Sequence, residues 1–428
     1  MGAVSLVRLS GAGVFAVAEG ILRRFSASSI QPRLTFRDDV LAEDGSSIDD
    51  VLVVCYRNPS SYTGEDVVEI SGHGGIHVTR RVLERCLECG ARLAEAGEFS
   101  LRAFLNSKLD LTQAEAVMDL ITAQTDLAAR AAREQLSGSL GNAVSKVREE
   151  IINLTAHVEA YIDFPEEDIS PETGSELEAS FQRLENSLGG LLGTAKRGRL
   201  LREGARVAIV GAPNAGKSSL LNALLGYERA IVSEEAGTTR DTVEEVLDFD
   251  GYPVRLIDTA GLREDGSQIE KEGMARARQR MEDADLVIEL VDASQPLVAR
   301  IIPEALLVLN KVDLGEDSGW EGQEALRISV MEDQGLSLLR KQVAACLGDG
   351  SREHSGGALI AINARHQDCL RRAESALAEA RQMLASQEEP EFVSLPLREA
   401  LHAVGEVAGR IDTDEILGSI FSQFCIGK

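Results

Sequence analysis

Between the apolar run Val207–Val210 and the stretch Leu220-Leu221-Asn222-Ala223-Leu224-Leu225 lies Gly211-Ala212-Pro213-Asn214-Ala215-Gly216-Lys217-Ser218-Ser219. The order is strand, glycine-bearing loop, helix, and G-x-x-x-x-G-K-S in that setting reads as a P-loop. Glycine tolerates the dihedrals that let successive backbone N–H groups curl around phosphates. The helix behind the loop adds the positive end of its dipole. Lys217 is placed to reach β- and γ-phosphates, and the Ser218 hydroxyl to bind Mg2+. An ordinary glycine turn is the alternative, and three further elements downstream argue against it.

Asp258-Thr259-Ala260-Gly261 follows the apolar strand Val254–Ile257. There Asp258 can hold Mg2+ through water and the Gly261 N–H can sense a γ-phosphate. Gly237-Thr238-Thr239-Arg240-Asp241 lies between this element and the P-loop, where a threonine can close over Mg2+. Asn310-Lys311-Val312-Asp313 follows the run Ala305–Leu309. The Asp313 carboxylate can accept from guanine's ring N–H and exocyclic amine, a donor pair that adenine lacks. GTP is therefore the expected nucleotide. Ser329, with Val330 where the familiar motif has Ala, fits the loop at the base edge. A Ras-like enzyme orients the attacking water with a Gln after the D-T-A-G element. Here that residue is Leu262, so another group must do it. Glu264 and Glu270 lie in the following segment, and spacing does not choose between them or distinguish either from solvated charge.

The chain has 428 residues, room for two or three domains, and a formal net charge of -26. Phosphates would be repelled by most of such a surface, which argues against a broad nucleic-acid-binding face but not against a local basic patch. Six scattered cysteines do not suggest a disulfide framework, and Cys86-x-x-Cys89 is only half of a zinc site. Free thiols in a reducing compartment are expected. No apolar run is long enough to span a bilayer, and no signal peptide is apparent. The expected location is the cytoplasm.

Along the chain, Ser5–Leu9, residues 51–56 and Asp66–Ile70 read as strands. Ser71-Gly72-His73-Gly74-Gly75 reads as a turn before a helix that carries Arg80, Arg81 and Arg85. Helical periodicity runs from Thr112 to about Tyr161 and again from about Glu176 to Lys196. The basic knot of Lys196, Arg197, Arg199 and Arg202 is expected to be solvated surface or a contact to RNA phosphates. Residues 205–350 alternate strands and helices, and helices return over Ala364–Ser386 and around Leu395–Ala408. The expected fold is multidomain, α+β and α/β. It has an N-terminal α+β domain (1–110), a helical domain in two parts (111–204 and 351–428), and a Ras-like P-loop GTPase domain (205–350) inserted between them.

Further motifs run through the flanks: Ser61-Tyr62-Thr63-Gly64-Glu65-Asp66-Val67-Val68-Glu69, Gly72-His73-Gly74-Gly75, Gly97-Glu98-Phe99, Arg102–Leu111, Gln113-Ala114-Glu115-Ala116, and the tail Phe424-Cys425-Ile426-Gly427-Lys428. With these the chain resembles, over nearly its full length, the bacterial and organellar tRNA-modification GTPase family MnmE (TrmE). The resemblance implies a homodimer that works with a flavin-dependent partner, MnmG (GidA). Together they build a 5-carboxymethylaminomethyl or aminomethyl group on wobble uridine 34 of certain tRNAs. It implies a tetrahydrofolate derivative, 5-formyl or methylene, bound by the N-terminal domain through Arg8, Glu69, Lys108 and Lys428. It further implies GTP bound by Asn214–Ser219 (including Ala215, Gly216 and Ser219), Ser233, Thr238, Thr239, Asp258, Thr259, Ala260, Gly261, Asn310, Lys311, Asp313, Ser329 and Val330. Mg2+ would be held by Ser218 and Thr239, and K+ by Asn214, Ser233, Glu235 and Thr238. Glu270 would position the attacking water beside Lys217, and Cys425 would assist the one-carbon chemistry. The family usually carries a longer glycine-rich lead before the strand that holds Arg8. A GTP switch in ribosome assembly is the alternative from a different class. Such a protein should carry a basic or aromatic RNA-binding domain, whereas these flanks are acidic and the aromatic content is 4%.

Overall fold

The computed structural model describes residues 2–29, 31–163, 171–227, 246–258, 283–300, 302–348, 359–386, 390–409, 417–418, 420–421, 424 and 427. They form two compact units, Met1–Met118 with Gly405–Lys428, and Asp119–Val404.

The first unit is built on four antiparallel strands, β1 (Val4–Ser10), β2 (Phe36–Leu41), β3 (Ser47–Tyr56) and β4 (Val67–His73), in the order β1-β4-β3-β2. Period-two alternation gives the sheet one dry face, to which β3 contributes Val51, Val53 and Cys55 and β4 contributes Val68 and Ile70. Helices α1 (Val14–Ile21) and α2 (Ile76–Glu88) cover that face with Val14, Phe15, Ala18 and Ile21, and with Val82 and Cys86. These are the three- and four-residue intervals of an amphipathic helix. The other face leaves Leu6 and Leu52 about half exposed. Helices α3 (Glu98–Leu105) and α4 (Leu111–Thr122) follow, and a smaller core joins Leu111 and Ala114 to Phe421 and Phe424.

This unit differs from the expectations in its strands and in its helices. Strand β4 runs on to His73, so the turn is confined to Gly74-Gly75. The strand continues because Gly72 lets it pass the Asp49 carboxylate, where a Cβ would lie 2.4 Å from an oxygen. Strand β2 and helix α1 were not expected at all.

In the second unit come helices α5 (Asp126–Leu136), α6 (Ser139–Asp163), α7 (Pro171–Leu192) and α8 (Ala195–Glu203). Then β5 (Ala205–Val210) and α9 (Lys217–Tyr227) lead to β6 (Val246–Phe249), β7 (Tyr252–Asp258), β8 (Leu286–Asp292), β9 (Leu306–Asn310), β10 (Leu326–Arg327) and α10 (Leu336–Leu347). Helices α11 (Ala364–Ala385) and α12 (Pro390–Val407) return to the helical part. The sheet order is β10-β9-β8-β5-β7-β6, with every pair parallel except β6–β7. Ala128 and Ala131 of α5 and Leu200 and Leu201 of α8 share one core with this sheet.

The helix expected over about 176–196 is broken at Gly193-Thr194, and the basic knot lies within α8. It is not simply solvated. Arg202 pairs with Asp119 at 2.7 Å and Arg199 pairs with Asp285. Gly198 packs against the backbone of Ile362. Among the described residues, no helix is long and apolar enough to cross a membrane, and Cys55, Cys86, Cys89, Cys346 and Cys369 form no disulfide.

Candidate functional site

In the six-stranded sheet, β5 has β7 on one side and β8 on the other, so chain connections leave it in opposite directions. In open parallel sheets the crevice beyond the strand ends at such a switch point is where ligands bind. The P-loop occupies that position, between Val210 and Lys217. Gly211 passes so close to β8 that a Cβ would sit 2.1 Å from the Leu290 carbonyl. Gly216 has φ +99°, and a Cβ there would lie 2.3 Å from the Asn310 amide nitrogen. Asn214 takes φ +65° and is exposed, as are Ser218 and Ser219 in the first turn of α9. Ala215 is buried. The Lys217 ammonium turns back onto the loop, donating to the carbonyls of Gly211 (2.8 Å) and Ala212 (2.9 Å). The concave loop, the exposed Ser218 hydroxyl and a mobile-length lysine stem suit an anionic phosphate with a hard, oxygen-loving cation.

The end of β9 supplies the neighbouring wall. Asn310 is 2% exposed; its amide donates to the Ala215 carbonyl at 2.9 Å and accepts from the Val330 N–H at 3.3 Å. It therefore braces the P-loop against the 329–330 loop. Lys311 sits in the left-handed region at φ +65° and pairs with Asp292 at 2.7 Å. Burial works against the Asp292 charge, but hydrogen bonds from Lys311 and Ser294 outweigh it and hold the carboxyl below its ordinary value. Asp313 is exposed in the short turn Val312–Leu314. Ser329 is buried, its backbone paired with Gln334 and its hydroxyl accepting from the Glu332 N–H at 3.2 Å.

Asp258 ends β7, opposite Ile209 of β5. Ser233, Glu235, Thr238, Thr239, Thr259, Ala260, Gly261, Glu270, Cys425 and Lys428 lie outside the described residues.

In the first unit, Arg8 and Glu69 face each other across β1 and β4 and pair at 2.8 Å, each about one-fifth exposed. The Arg8 guanidinium lies 5.3 Å from the Tyr62 ring centre and 5.6 Å from that of Phe99. Tyr56 reaches the other Glu69 oxygen at 3.5 Å. Arg8 also borders a cavity of about 510 Å3 with Phe99, Arg102 and Gly427. Lys108 is not brought into this group: its ammonium binds the Pro59 carbonyl at 3.0 Å.

Sequence reasoning missed the network beside Arg8. Arg102 binds Glu65 (2.9 Å) and Glu98 (2.7 Å), and Ser10 binds Glu65 and Thr63, each at 2.7 Å. The available signal was that Thr63, Glu65, Glu98 and Arg102 all fall inside the quoted motifs.

A model of the MnmE helical domain matches residues 111–425, and one of the GTP-binding protein TrmE N-terminus matches residues 1–108. The chain belongs to the MnmE family of tRNA modification GTPases. The tRNA modification GTPase MnmE of Akkermansia muciniphila is 47% identical over 432 residues, spanning 100% of this chain and 96% of that protein. Its counterpart in Aquifex aeolicus is 42% identical over 438 residues, spanning 100% of this chain and 97% of that one. Among solved structures, the G domain of the T. maritima FeoB iron transporter is 28% identical. It covers 33% of this chain and 98% of its own, at a TM-score of 0.25. MnmE membership fixes the GTPase class and sets aside the ribosome-assembly reading.

Proposed function

We propose that this MnmE-family chain is the GTP-hydrolysing subunit of a complex that adds a 5-carboxymethylaminomethyl or aminomethyl group to wobble uridine 34 of certain tRNAs. The single observation that carries the reading is the full-length match to MnmE in both flanks as well as the nucleotide module. On this reading the chain is a cytoplasmic homodimer that acts with MnmG and reaches tRNA through the complex. Residues 205–350 form the GTPase domain, inserted between helical parts 111–204 and 351–428, and residues 1–110 bind folate and dimerise.

Backbone N–H groups of Asn214–Ser219 hold the phosphates, and Lys217 leaves the Gly211 and Ala212 carbonyls to meet them. The Lys217 ammonium has hydrogen-bond acceptors both on the loop carbonyls and on phosphate, so the exchange leaves no donor unmet. Asp313 selects guanine, with Asn310, Lys311, Ser329 and Val330 shaping the base pocket. Asp258 would hold Mg2+ through water and the Gly261 N–H would sense the γ-phosphate, with Thr259 and Ala260 between them. Ser218 and Thr239 would hold Mg2+, which neutralises phosphate charge. Asn214, with Ser233, Glu235 and Thr238, would hold K+, which supplies positive charge where an arginine finger otherwise would. Closure of this loop against a second copy couples K+ to dimerisation of the GTPase domains. Glu270 orients the attacking water, a role that Leu262 cannot fill.

Arg8, Glu69 and Lys428 would hold a tetrahydrofolate derivative, which supplies the one-carbon unit, and Lys108 would join them only by leaving the Pro59 carbonyl. The chemistry of the donor set fits: a guanidinium beside two aromatic rings suits a flat, anionic-tailed ligand, and Glu69 can accept from pterin N–H groups. Cys425 is assigned to assist the one-carbon step. The test is mass spectrometry of wobble nucleosides in a host lacking its own copy, complemented with this chain or with Cys425→Ser. Restoration by the wild type alone supports the whole reading. Restoration by both makes Cys425 dispensable. Restoration by neither, with GTP hydrolysis and partner binding intact, overturns the modification reading.

A further inference from the structure

The hairpin β6–β7 joins two stretches that the function assigns to the nucleotide. Thr239 precedes β6 by seven residues of sequence, and Thr259 follows the last residue of β7 directly. Its closed end, Asp250-Gly251, lies far along both strands from these open ends and touches the helical part of the same unit. The Thr125 hydroxyl donates to the Gly251 carbonyl at 2.6 Å. The same oxygen accepts from the Ala128 N–H at 3.3 Å, capping α5. Thr125 is 7% exposed, so the hydrogen bond is shielded from competing water.

The contact is built on both sides. Gly251 has φ +96°, and a Cβ there would lie 2.7 Å from Leu127 Cβ, so only glycine brings the turn this close to α5. The turn is stiff, since the Gly251 N–H donates to Asp248 at 2.6 Å while Arg340 holds the Asp248 carbonyl at 2.8 Å. Behind it, Phe249 and Tyr252 share a core with Ala128 and Ala131 of α5. The pairs from Val246–Arg255 to Phe249–Tyr252 bind the two strands into one ribbon, which gives a displacement of its open ends a direct route to the turn.

We propose that Thr125 is a positioning residue. Through its bond to Gly251 it ties the N-terminus of α5 to the β6–β7 ribbon, so that the nucleotide state at the ribbon's open ends is passed to the helical part. This rests on the assignment of residues 238–239 and 258–261 to nucleotide sensing, and it adds the mechanical route. Thr125 touches neither the P-loop nor the base pocket, so basal GTP hydrolysis does not depend on it.

The experiment is hydrogen–deuterium exchange of the full chain with GDP and with a non-hydrolysable GTP analogue, in K+ and Mg2+. It is run on the wild type, Thr125→Val and Thr125→Ser, with nucleotide binding and hydrolysis measured on the same samples. In the wild type, exchange over the first turns of α5 differs between the two nucleotides. Thr125→Val loses that difference while nucleotide affinity and basal hydrolysis stay within twofold of wild type, and Thr125→Ser, which keeps the hydroxyl, restores it. A purely structural cap would raise α5 exchange equally in both nucleotide states and leave the difference intact. That outcome overturns the proposal, as does a wild type whose α5 ignores the nucleotide. Absence of GTP binding or hydrolysis in the wild type would instead count against the GTPase site assignments, so the two failures are separable. Leu127→Ala, which removes the packing on Gly251 but leaves the cap, should weaken the difference in the same direction.

Discussion

The side-chain amide of Asn310 donates to the Ala215 carbonyl at 2.9 Å, joining the end of β9 to the floor of the P-loop. Its oxygen takes the Val330 N–H, so one buried residue sets the spacing between the phosphate loop and the base-edge loop. Asn310→Ala leaves a buried carbonyl and a buried N–H without these partners. GTP and GDP affinity should both fall by about tenfold to a hundredfold, about 1.4–2.7 kcal/mol. Isothermal titration with both nucleotides checks this. A loss confined to GTP would place the effect at the γ-phosphate and contradict the brace.

Helix propensity and packing disagree at Gly198 of α8, and magnitude decides between them. Alanine in a helix interior is favoured over glycine by about 1 kcal/mol. The added methyl, however, would stand 2.2 Å from the Ile362 carbonyl oxygen, a backbone atom that cannot swing aside. Gly198→Ala should therefore destabilise the second unit, by about 2–4 kcal/mol. Denaturant titration is the check, and a stabilised variant would mean that α8 does not press on residues 361–362.

Glu98 is clamped by Arg92 and Arg102, and these hydrogen bonds hold its carboxyl down at about 2 against partial burial. A folded pKa below the unfolded one gives stability that is complete above the unfolded value, near 4.5, and fades as the pH falls toward 2. Glu98→Gln should cost about 2 kcal/mol at neutral pH, since two guanidinium partners lose their anion. The penalty should shrink through that acid window. Chemical denaturation at pH 7 and pH 3 measures both, and an equal penalty at the two pH values would refute the charge-based account.

How far the sequence reveals this molecule depends on the range of the signal. The run from Ala205 to Tyr227 was legible because its cues are local: an apolar strand, glycines at required dihedrals, a helix start. Strand β2 was not, because Phe36-Arg37-Asp38-Asp39-Val40-Leu41 carries three charges in six residues. All three form cross-strand or loop contacts, Arg37 to Asp50, Asp38 to the Arg24 N–H and Asp39 to Arg23, that periodicity cannot show. The basic knot in α8 failed for the same reason: Asp119 and Asp285, the partners of Arg202 and Arg199, are about 80 residues away in sequence. Arg8 and Glu69 were singled out by motif, while their mutual pairing came only with the antiparallel register of β1 and β4.

GTP turnover offers a prediction at residues assigned by resemblance. Glu270→Ala should keep GTP affinity within a few-fold of wild type while lowering kcat by about 10^2–10^4, the usual contribution of a group that positions or deprotonates a nucleophile. On the proposed reading, K+ should support fast hydrolysis and Na+ should not, because the smaller ion would not fill a site sized for K+. Rates that match in the two salts would remove the K+ assignment. Unchanged turnover in Glu270→Ala would return that residue to ordinary solvated charge.

His73 gives the last test, at a motif whose role lies in the N-terminal sheet. Its ring Nδ1 sits 2.7 Å from Asp49, whose carboxylate also accepts from the His73 N–H at 2.8 Å and is 8% exposed. Gly72, lacking a Cβ, makes room for that carboxylate. Donation from the ring N–H to the Asp49 carboxylate raises the His73 pKa above its ordinary value. A raised folded pKa gives stability that is fully present below the unfolded value near 6.5 and is lost as pH rises through the folded one. Asp49→Asn should bring the His73 titration midpoint, read by NMR of the ring protons, back toward the ordinary value. It should also flatten the stability profile across that window. The ring is mostly exposed, so the stability change will be small and the midpoint is the decisive reading. A midpoint unmoved in Asp49→Asn would mean that the pairing does not hold in solution, and Gly72 would then need another reason for its place beside Asp49.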